Sequence, residues 1–184
     1  MATQSNRLPG GGEIDRGKPL TFRFDDKTYT GFQGDTLASA LLANNVKLVG
    51  RSFKYHRPRG VFSAGPEEPN ALVHLRSGDR QEPNTRATMI ELYDGLIAES
   101  QNRGKSLRND PQRINNLFKA FLPAGFYYKT FMGPFRNTRL WMFIEGFIRK
   151  SAGMGAASGL PDPDHYDQMS RHCEILVIGG GPAG

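Results

Sequence analysis

The chain has 184 residues and a formal net charge of +6, with 22 Gly, 12 Pro and a single cysteine. This length allows one domain of ordinary size plus extensions, and the glycine and proline content predicts long irregular stretches. One cysteine excludes an intramolecular disulfide and any site built from several thiolates, which favours a reducing, cytoplasmic compartment. The sequence has neither the apolar core of a secretion signal at its start nor a run of about 20 apolar residues, so we predict no membrane segment.

The first elements predict the start of a β-grasp domain. Residues 1–18 are rich in Gly, Pro and polar side chains and are predicted to be flexible. Apolar and polar residues alternate over residues 20–24 and again over residues 28–32, which predicts a β-hairpin. Residues 34–36 (Gly-Asp-Thr) offer a helix cap, and apolar residues then recur at helical spacing as far as Asn44. Two strands followed by a helix are how a β-grasp domain begins.

Three more strands are predicted before residue 100. They are placed at residues 71–76, 86–92 and 96–98, with turns at residues 78–79, 82–84 and 93–95. The predicted elements together form a compact α+β domain over residues 19–100.

A loop rich in basic and aromatic residues lies at residues 51–59, with the sequence RSFKYHRPR. Alternating bases and aromatic rings suit a nucleic-acid backbone with base stacking. A solvated loop anchored by Phe53 and Tyr55 is an equally good interpretation of the same residues.

Residues 101–170 are predicted to form a helical extension and a linker. One helix is predicted to begin at Asp110-Pro111 and to end before Pro123, and a second, amphipathic helix is predicted from about Phe135 to Lys150. Two short helices cannot bury this many aromatic side chains against each other. We therefore expect this surface to pack on another domain of a longer protein or on partner subunits.

The last segment, residues 171–184, contains a glycine fingerprint. Residues 175–178 form an apolar run, which predicts a strand buried in a parallel sheet. The glycines that follow have the spacing G-x-G-x-x-G of a dinucleotide-binding unit, where the phosphates lie at the start of the next helix. The candidate cofactor-binding residues are Gly179, Gly180, Gly181, Pro182, Ala183 and Gly184.

The helix, second strand and acidic residue that complete such a site would follow Gly184. We therefore expect an amino-terminal fragment of a longer enzyme, with a truncated Rossmann-type domain that is disordered from about Cys173 and binds neither NAD nor flavin by itself. The histidines have no spacing typical of metal sites, so no metal ligand and no catalytic residue is assigned. They are His56, His74, His165 and His172.

Three stretches of the sequence resemble the α subunit of heterotetrameric sarcosine oxidases. They are RSFKYHRPRGVFSAGPEEPNALV (51–73), LPAGFYYKTFMGP (122–134) and EILVIGGGPAG (174–184). The resemblance implies an enzyme that oxidatively demethylates sarcosine to glycine, with formation of hydrogen peroxide and transfer of the one-carbon unit to tetrahydrofolate. It also implies NAD at the glycine fingerprint, FAD and FMN in the β subunit and at the α/β interface, and β, γ and δ subunits as partners.

The alternatives are a subunit of a related opine- or glycine-type amine dehydrogenase, and a basic nucleic-acid-binding module. The resemblance favours an enzyme subunit with no nucleic-acid partner.

More distantly, the β-grasp region is similar to plant-type ferredoxin domains, whose 2Fe–2S cluster is held by cysteines in the pattern C-x4-C-x2-C and a fourth cysteine further on. Aligned with that pattern, the four ligand positions fall near Ser63, Glu68, Ala71 and Thr88. None of these residues is a thiol. We therefore expect a ferredoxin-like β-grasp scaffold without a cluster, kept as a structural or subunit-contact module.

Overall fold

The computed structural model describes residues 4–122 and 139–177. Predictions made for residues 1–3, 123–138 and 178–184 lie outside the described residues. The strands of the described part are β1 (Asp15–Phe24), β2 (Lys27–Gln33), β3 (Gly50–Arg51), β4 (Pro58–Arg59), β5 (Leu72–Leu75), β6 (Glu82–Arg86) and β7 (Leu96–Ser100). Its α-helices are α1 (Leu37–Ala43) and α2 (Arg139–Ala152).

The main sheet has five strands in the order β2-β1-β7-β5-β6. The central strands β1 and β7 run parallel, with Phe22 opposite Leu96 and Phe24 opposite Ala98. All other neighbours in this sheet are antiparallel. The first and last strands are thus central neighbours, and the α+β, ferredoxin-like fold predicted from the sequence is confirmed.

Helix α1 begins where the sequence predicts, because Thr36 and Ser39 form a reciprocal cap. The Ser39 backbone N–H donates to Thr36 Oγ1 over 3.1 Å, and the Thr36 N–H donates to Ser39 Oγ over 3.0 Å. Such a capping box satisfies two N–H groups that a helix start leaves without partners. Leu37 and Leu41 of the helix are fully buried and complete the core against the sheet.

The prediction of a strand at residues 86–92 is wrong. The observed strand is Glu82–Arg86, where the sequence pattern indicated a turn. Pro83 and Asn84 lie at an irregularity in the β5–β6 pairing, and Asn84 has φ 58°. Bulges and edge strands are the places where a sheet accepts proline, and β6 is an edge. The apolar residues that follow instead pack beside α1, where the Leu37 N–H donates to Ile90 O over 2.9 Å.

The helix predicted from Asp110-Pro111 begins at that point but is a 3-10 helix, Pro111–Asn116, followed by turns as far as Leu122. Asp110 caps it by accepting from the Gln112 N–H over 3.0 Å. Its Asn115-Asn116 pair has low helix propensity, and the amide of Asn115 donates to Lys54 O. Contacts with the preceding loop therefore replace a regular α-helix. The second predicted helix is observed as α2, and residues 135–138 of the prediction lie outside the described residues.

From Gly153 to Val177 the chain contains no helix or strand. The sequence predicts a buried strand for Ile175, Leu176 and Val177 only where the rest of the Rossmann-type domain is present. In this chain they are in no sheet and are 83%, 70% and 75% exposed. A parallel strand needs neighbouring strands for its hydrogen bonds, and the described residues provide none here. Among the described residues, no helix combines the length and the hydrophobicity that a membrane span requires.

Candidate functional site

The predicted cofactor-binding residues, Gly179, Gly180, Gly181, Pro182, Ala183 and Gly184, lie outside the described residues. Their role stays a prediction. Two buried polar clusters of the described residues involve the aligned ligand positions and the basic loop, and each has a charged side chain at its centre.

The first cluster forms where the ferredoxin alignment places the cluster ligands. We call residues 62–71 the Glu68 loop, because its backbone turns around the buried Glu68 carboxylate. The aligned residues Ser63 and Ala71 both donate backbone N–H groups to this carboxylate. Thr88, the fourth aligned position, donates its hydroxyl to Gly65 O over 2.8 Å. The three aligned positions of the loop and Thr88, which lies 17 residues after Ala71, therefore meet at one place.

The Glu68 carboxylate accepts a pair of backbone N–H groups on each oxygen. Oε2 accepts from Phe62 and Ser63 over 2.7 and 2.6 Å, and Oε1 accepts from Asn70 and Ala71 over 2.8 and 3.1 Å. Two carboxylate oxygens offer about four lone-pair positions. All of them are used by the loop's own backbone.

These hydrogen bonds decide the charge state of Glu68. Burial by itself raises the pKa of the carboxyl, but the N–H groups of Ser63, Asn70, Phe62 and Ala71 outweigh burial and hold the pKa below its ordinary value. Glu68 is therefore ionised at neutral pH. Nε of Arg86 donates to the Glu68 main-chain oxygen over 3.2 Å.

The second cluster is formed by Arg51, His56 and Asp110, all buried. Nδ1 of His56 lies 2.7 Å from Asp110 Oδ2, and Nε2 lies 2.9 Å from the main-chain oxygen of Ser151 in α2. Both partners, a carboxylate and a main-chain carbonyl, are hydrogen-bond acceptors. The ring therefore joins a carboxylate to the carboxyl end of α2.

Arg51 completes this cluster from β3. Its Nη1 donates to His56 O over 2.6 Å, its Nε donates to Leu107 O over 2.7 Å, and Nε lies 3.7 Å from Asp110 Oδ2. Burial raises the pKa of Asp110, but hydrogen bonds from His56 and from the backbone of Gln112 and Gly104 hold it below its ordinary value. The cluster thus holds a cation, an anion and an imidazole in contact with one another.

These contacts change the interpretation of the basic loop, residues 51–59. Arg51 is buried and is not available to a phosphate backbone. Arg57 lies over the Tyr55 ring at 4.6 Å and donates to Asn116, while the Tyr55 hydroxyl donates to Leu122 O over 2.6 Å. Phe53, expected to anchor the loop, is 48% exposed. The loop is organised by Arg51, His56 and Tyr55 against the following chain.

Sequence reasoning did not identify His56 or Glu68 as centres of clusters. His56 and Asp110 are separated by 54 residues, so no local spacing relates them. Glu68 stands at a position aligned with a cluster ligand. From the sequence alone, this shows only that the position carries no thiol.

Comparisons with known proteins agree with the resemblance noted in the sequence. Residues 17–103 match the family described as "2Fe-2S iron-sulfur cluster binding domain". The sarcosine oxidase subunit alpha of Rhizobium meliloti (strain 1021) is 58% identical over 98% of this chain and 18% of the relative. The subunits of the same name from Corynebacterium sp. strains U-96 and P-1 are each 32% identical, over 95% and 98% of this chain and 13% and 14% of the relatives.

Among solved structures, the crystal structure of L-proline dehydrogenase from P. horikoshii is 30% identical and covers 47% of this chain and 16% of its own, with a TM-score of 0.39. A score this low does not establish a shared fold.

The cofactor in the matched family's description does not fit the residues of this chain. The chain has one cysteine, Cys173, which is exposed and lies outside residues 17–103. At the aligned positions Ala71 has no ligand atom, and the Glu68 oxygens are used by four N–H groups. Iron–sulfur clusters require thiolates, with histidine as the known replacement. The ferredoxin-like domain therefore lacks the ligands for its namesake cluster.

The curated relatives extend far beyond this chain, which spans 18% or less of their length. Over nearly its whole length, nevertheless, the chain is similar to sarcosine oxidase α subunits.

Proposed function

We propose that the chain is the non-catalytic amino-terminal portion of the α subunit of a sarcosine oxidase. The observation that carries this proposal is the 58% identity to a protein of that name across 98% of the chain. The two buried clusters agree with a non-catalytic role, because their charged atoms are used in contacts within the chain. In the described part of the chain, no group of three or more His, Cys, Asp or Glu residues could hold a metal ion.

The whole enzyme, on this proposal, demethylates sarcosine oxidatively to glycine, produces hydrogen peroxide and transfers the one-carbon unit to tetrahydrofolate. It acts in the cytoplasm as a complex of α, β, γ and δ subunits, with FAD and FMN bound in the β subunit and at the α/β interface. NAD would be held by Gly179–Gly184 of this chain, where small residues let a backbone approach the pyrophosphate closely.

The ferredoxin-like domain and its extension would serve as structure and as subunit contact. Large apolar side chains are exposed on α2, among them Met142, Phe143 and Phe147, which are 65%, 66% and 63% exposed. Contiguous exposed apolar groups mark contact surfaces in proteins. Their presence beside a well-packed domain supports a docking role for the extension.

The proposal is tested by assembling the full-length α subunit with β, γ and δ subunits and measuring peroxide release. Sarcosine is expected to be the best substrate in a panel that includes opines, glycine and proline. An assembly that prefers another amine, or oxidises none of them, contradicts the proposal.

The glycine fingerprint is tested in the same assembly with Gly181→Val. We expect bound NAD, measured after denaturation, to fall at least about tenfold, because a side chain at this position blocks the backbone from the pyrophosphate. Gly10→Ala is the control, since a Cβ at Gly10 meets no atom within 4 Å. Unchanged NAD content in Gly181→Val overturns the assignment of this site.

A further inference from the structure

The Glu68 loop has the backbone arrangement of an anion site. Consecutive backbone N–H groups that point into one concavity bind phosphates and iron–sulfur centres in many proteins. Here the N–H groups of Phe62, Ser63, Asn70 and Ala71 converge in this way, from both sides of one carboxylate. The anion at the centre is a side chain of the loop itself.

The position of this anion matches the place of the missing cofactor. Two of the four donors, Ser63 and Ala71, are aligned with cluster ligands, and Glu68 is itself a third aligned position. A 2Fe–2S centre with its thiolates is an anion, and its sulfur atoms accept hydrogen bonds from the surrounding backbone. A buried carboxylate provides the same two properties, negative charge and several acceptor positions.

We propose that the ionised carboxylate of Glu68 replaces the iron–sulfur cluster as the internal anion around which residues 62–71 fold. On this view the domain lost the redox centre and kept the backbone donors, which now bind a side chain. This inference does not depend on the substrate of the parent enzyme.

The loop's other contacts agree with a single organising anion. Glu67, the neighbouring carboxylate, is exposed, and it accepts hydrogen bonds from its own backbone, from the Ser63 side chain and from the Gly65 N–H, the last over 3.2 Å. The Glu68 main-chain oxygen and Gly65 O are bound by Arg86 and Thr88, which tie the loop to the end of β6 and the residues after it. The loop is thus attached to the sheet at its edges and filled at its centre by Glu68.

The first test uses unmodified protein. Amide hydrogen exchange of the full 184-residue chain is measured by NMR, and the Phe62, Ser63, Asn70 and Ala71 amides are compared with those of β7. We expect protection comparable to that of β7, although none of the four lies in a strand. Exchange at the rate of unprotected amides overturns the proposal.

The second test removes the anion and supplies another. Glu68→Ala is expected to lower the melting temperature and to leave a cavity lined by four N–H groups. Added acetate, at constant ionic strength with chloride as the reference salt, should then raise the melting temperature in a saturable way. Glu67→Ala is the matched control, and acetate should not shift its melting temperature or that of the unmodified chain.

If acetate shifts the melting temperature equally in Glu68→Ala, in Glu67→Ala and in the unmodified chain, the proposal is contradicted. Such a result means that Glu68→Ala has no vacant anion site of its own. If Glu68→Ala does not fold, Glu68→Gln replaces it, because its amide keeps the size of the side chain while losing the charge and one acceptor. The four amides should then exchange at least about tenfold faster than in Glu67→Gln, since a buried N–H without its acceptor is costly. Equal exchange in the two glutamine variants overturns the proposal.

Discussion

The β-grasp domain buries its large apolar side chains, whereas helix α2 of the extension that follows it leaves them exposed. In the domain, Leu37, Leu41, Val73 and Leu96 are fully buried in one core. In α2 no residue is buried, although the helix is amphipathic, and Phe143 and Phe147 contact each other at its surface. The domain thus completes its core within the described residues, whereas the apolar face of α2 has no such cover there.

Leu107 at the start of the extension reaches the core of the domain, but α2 is joined to the domain by polar contacts. His56 lies 2.9 Å from Ser151 O, and Asn102 donates its side-chain amide to Ala152 O over 3.1 Å and its backbone N–H to Gly153 O over 2.9 Å. Hydrogen bonds of this kind contribute about 0.5–1.5 kcal/mol each and are directional. They fix where the end of α2 lies.

The largest expected effect tests the core of the domain. Leu96→Ala should lower the free energy of unfolding by about 2–5 kcal/mol, because a fully buried leucine in the central strand leaves a cavity. Leu160→Ala, at an exposed position of the extension, should change it by less than about 0.5 kcal/mol. Urea unfolding followed by circular dichroism measures both. Equal losses would show that the two regions share one core.

The next effect tests the polar connection to α2. His56→Asn should cost about 1–3 kcal/mol, because it removes the ring that satisfies Asp110 and Ser151. Asparagine is chosen because it tolerates the φ of 52° at this position, which separates the loss of the ring from backbone strain. His165→Asn, exposed in the extension, is the control. A cost no larger than that of the control shows that the ring contributes nothing to stability.

A smaller effect follows from the charge of Asp110, which faces His56 and Arg51. Its pKa is lowered in the folded chain from the ordinary value of 3.8, so the unfolded chain binds the proton more readily. This contribution to stability is therefore fully present above that value and is lost as the pH falls through the lower folded pKa. Asp110→Asn should make the acid limb of the stability curve flatter.

The control for the acid limb is Asp79→Asn, at an exposed position of the 3-10 helix Gly78–Arg80. Its curve should retain the slope of the unmodified chain. The prediction fails if both variants follow the same curve as the unmodified chain over the acid range.

The smallest effect on the isolated chain is expected from Phe143→Ser on α2. This side chain is 66% exposed, so the free energy of unfolding should change by less than about 0.5 kcal/mol. In the assembled enzyme the same variant should weaken subunit or domain association, measured by analytical ultracentrifugation. Unaltered association shows that this part of α2 is not a contact surface.

The elements that sequence reasoning predicted well are those determined by neighbouring residues. The β1–β2 hairpin alternates over residues 20–24 and 28–32, and α1 has a capping pair three residues apart at Thr36 and Ser39. The prediction misses the start of β1, because the strand begins at Asp15, inside residues 1–18, which are predicted to be flexible. The prediction failed at β6, because Pro83 and Asn84 have turn propensities and a bulge in an edge strand accepts them. Pro83 and Asn84 have the same local propensities in a turn and in a bulged edge strand. Only the pairing with β5 shows which of the two structures they form.

The amino-acid sequence by itself determined that a ferredoxin-like scaffold lacks the thiolates of a cluster, since this needs only a count of cysteines. Only the tertiary structure decided what occupies that place, and it is the carboxylate of Glu68 with four backbone donors. The same holds for His56 and Asp110, which are brought together over 54 residues. Residue types limit the available chemistry, but convergence of distant backbone and side-chain groups depends on the packing of the whole chain.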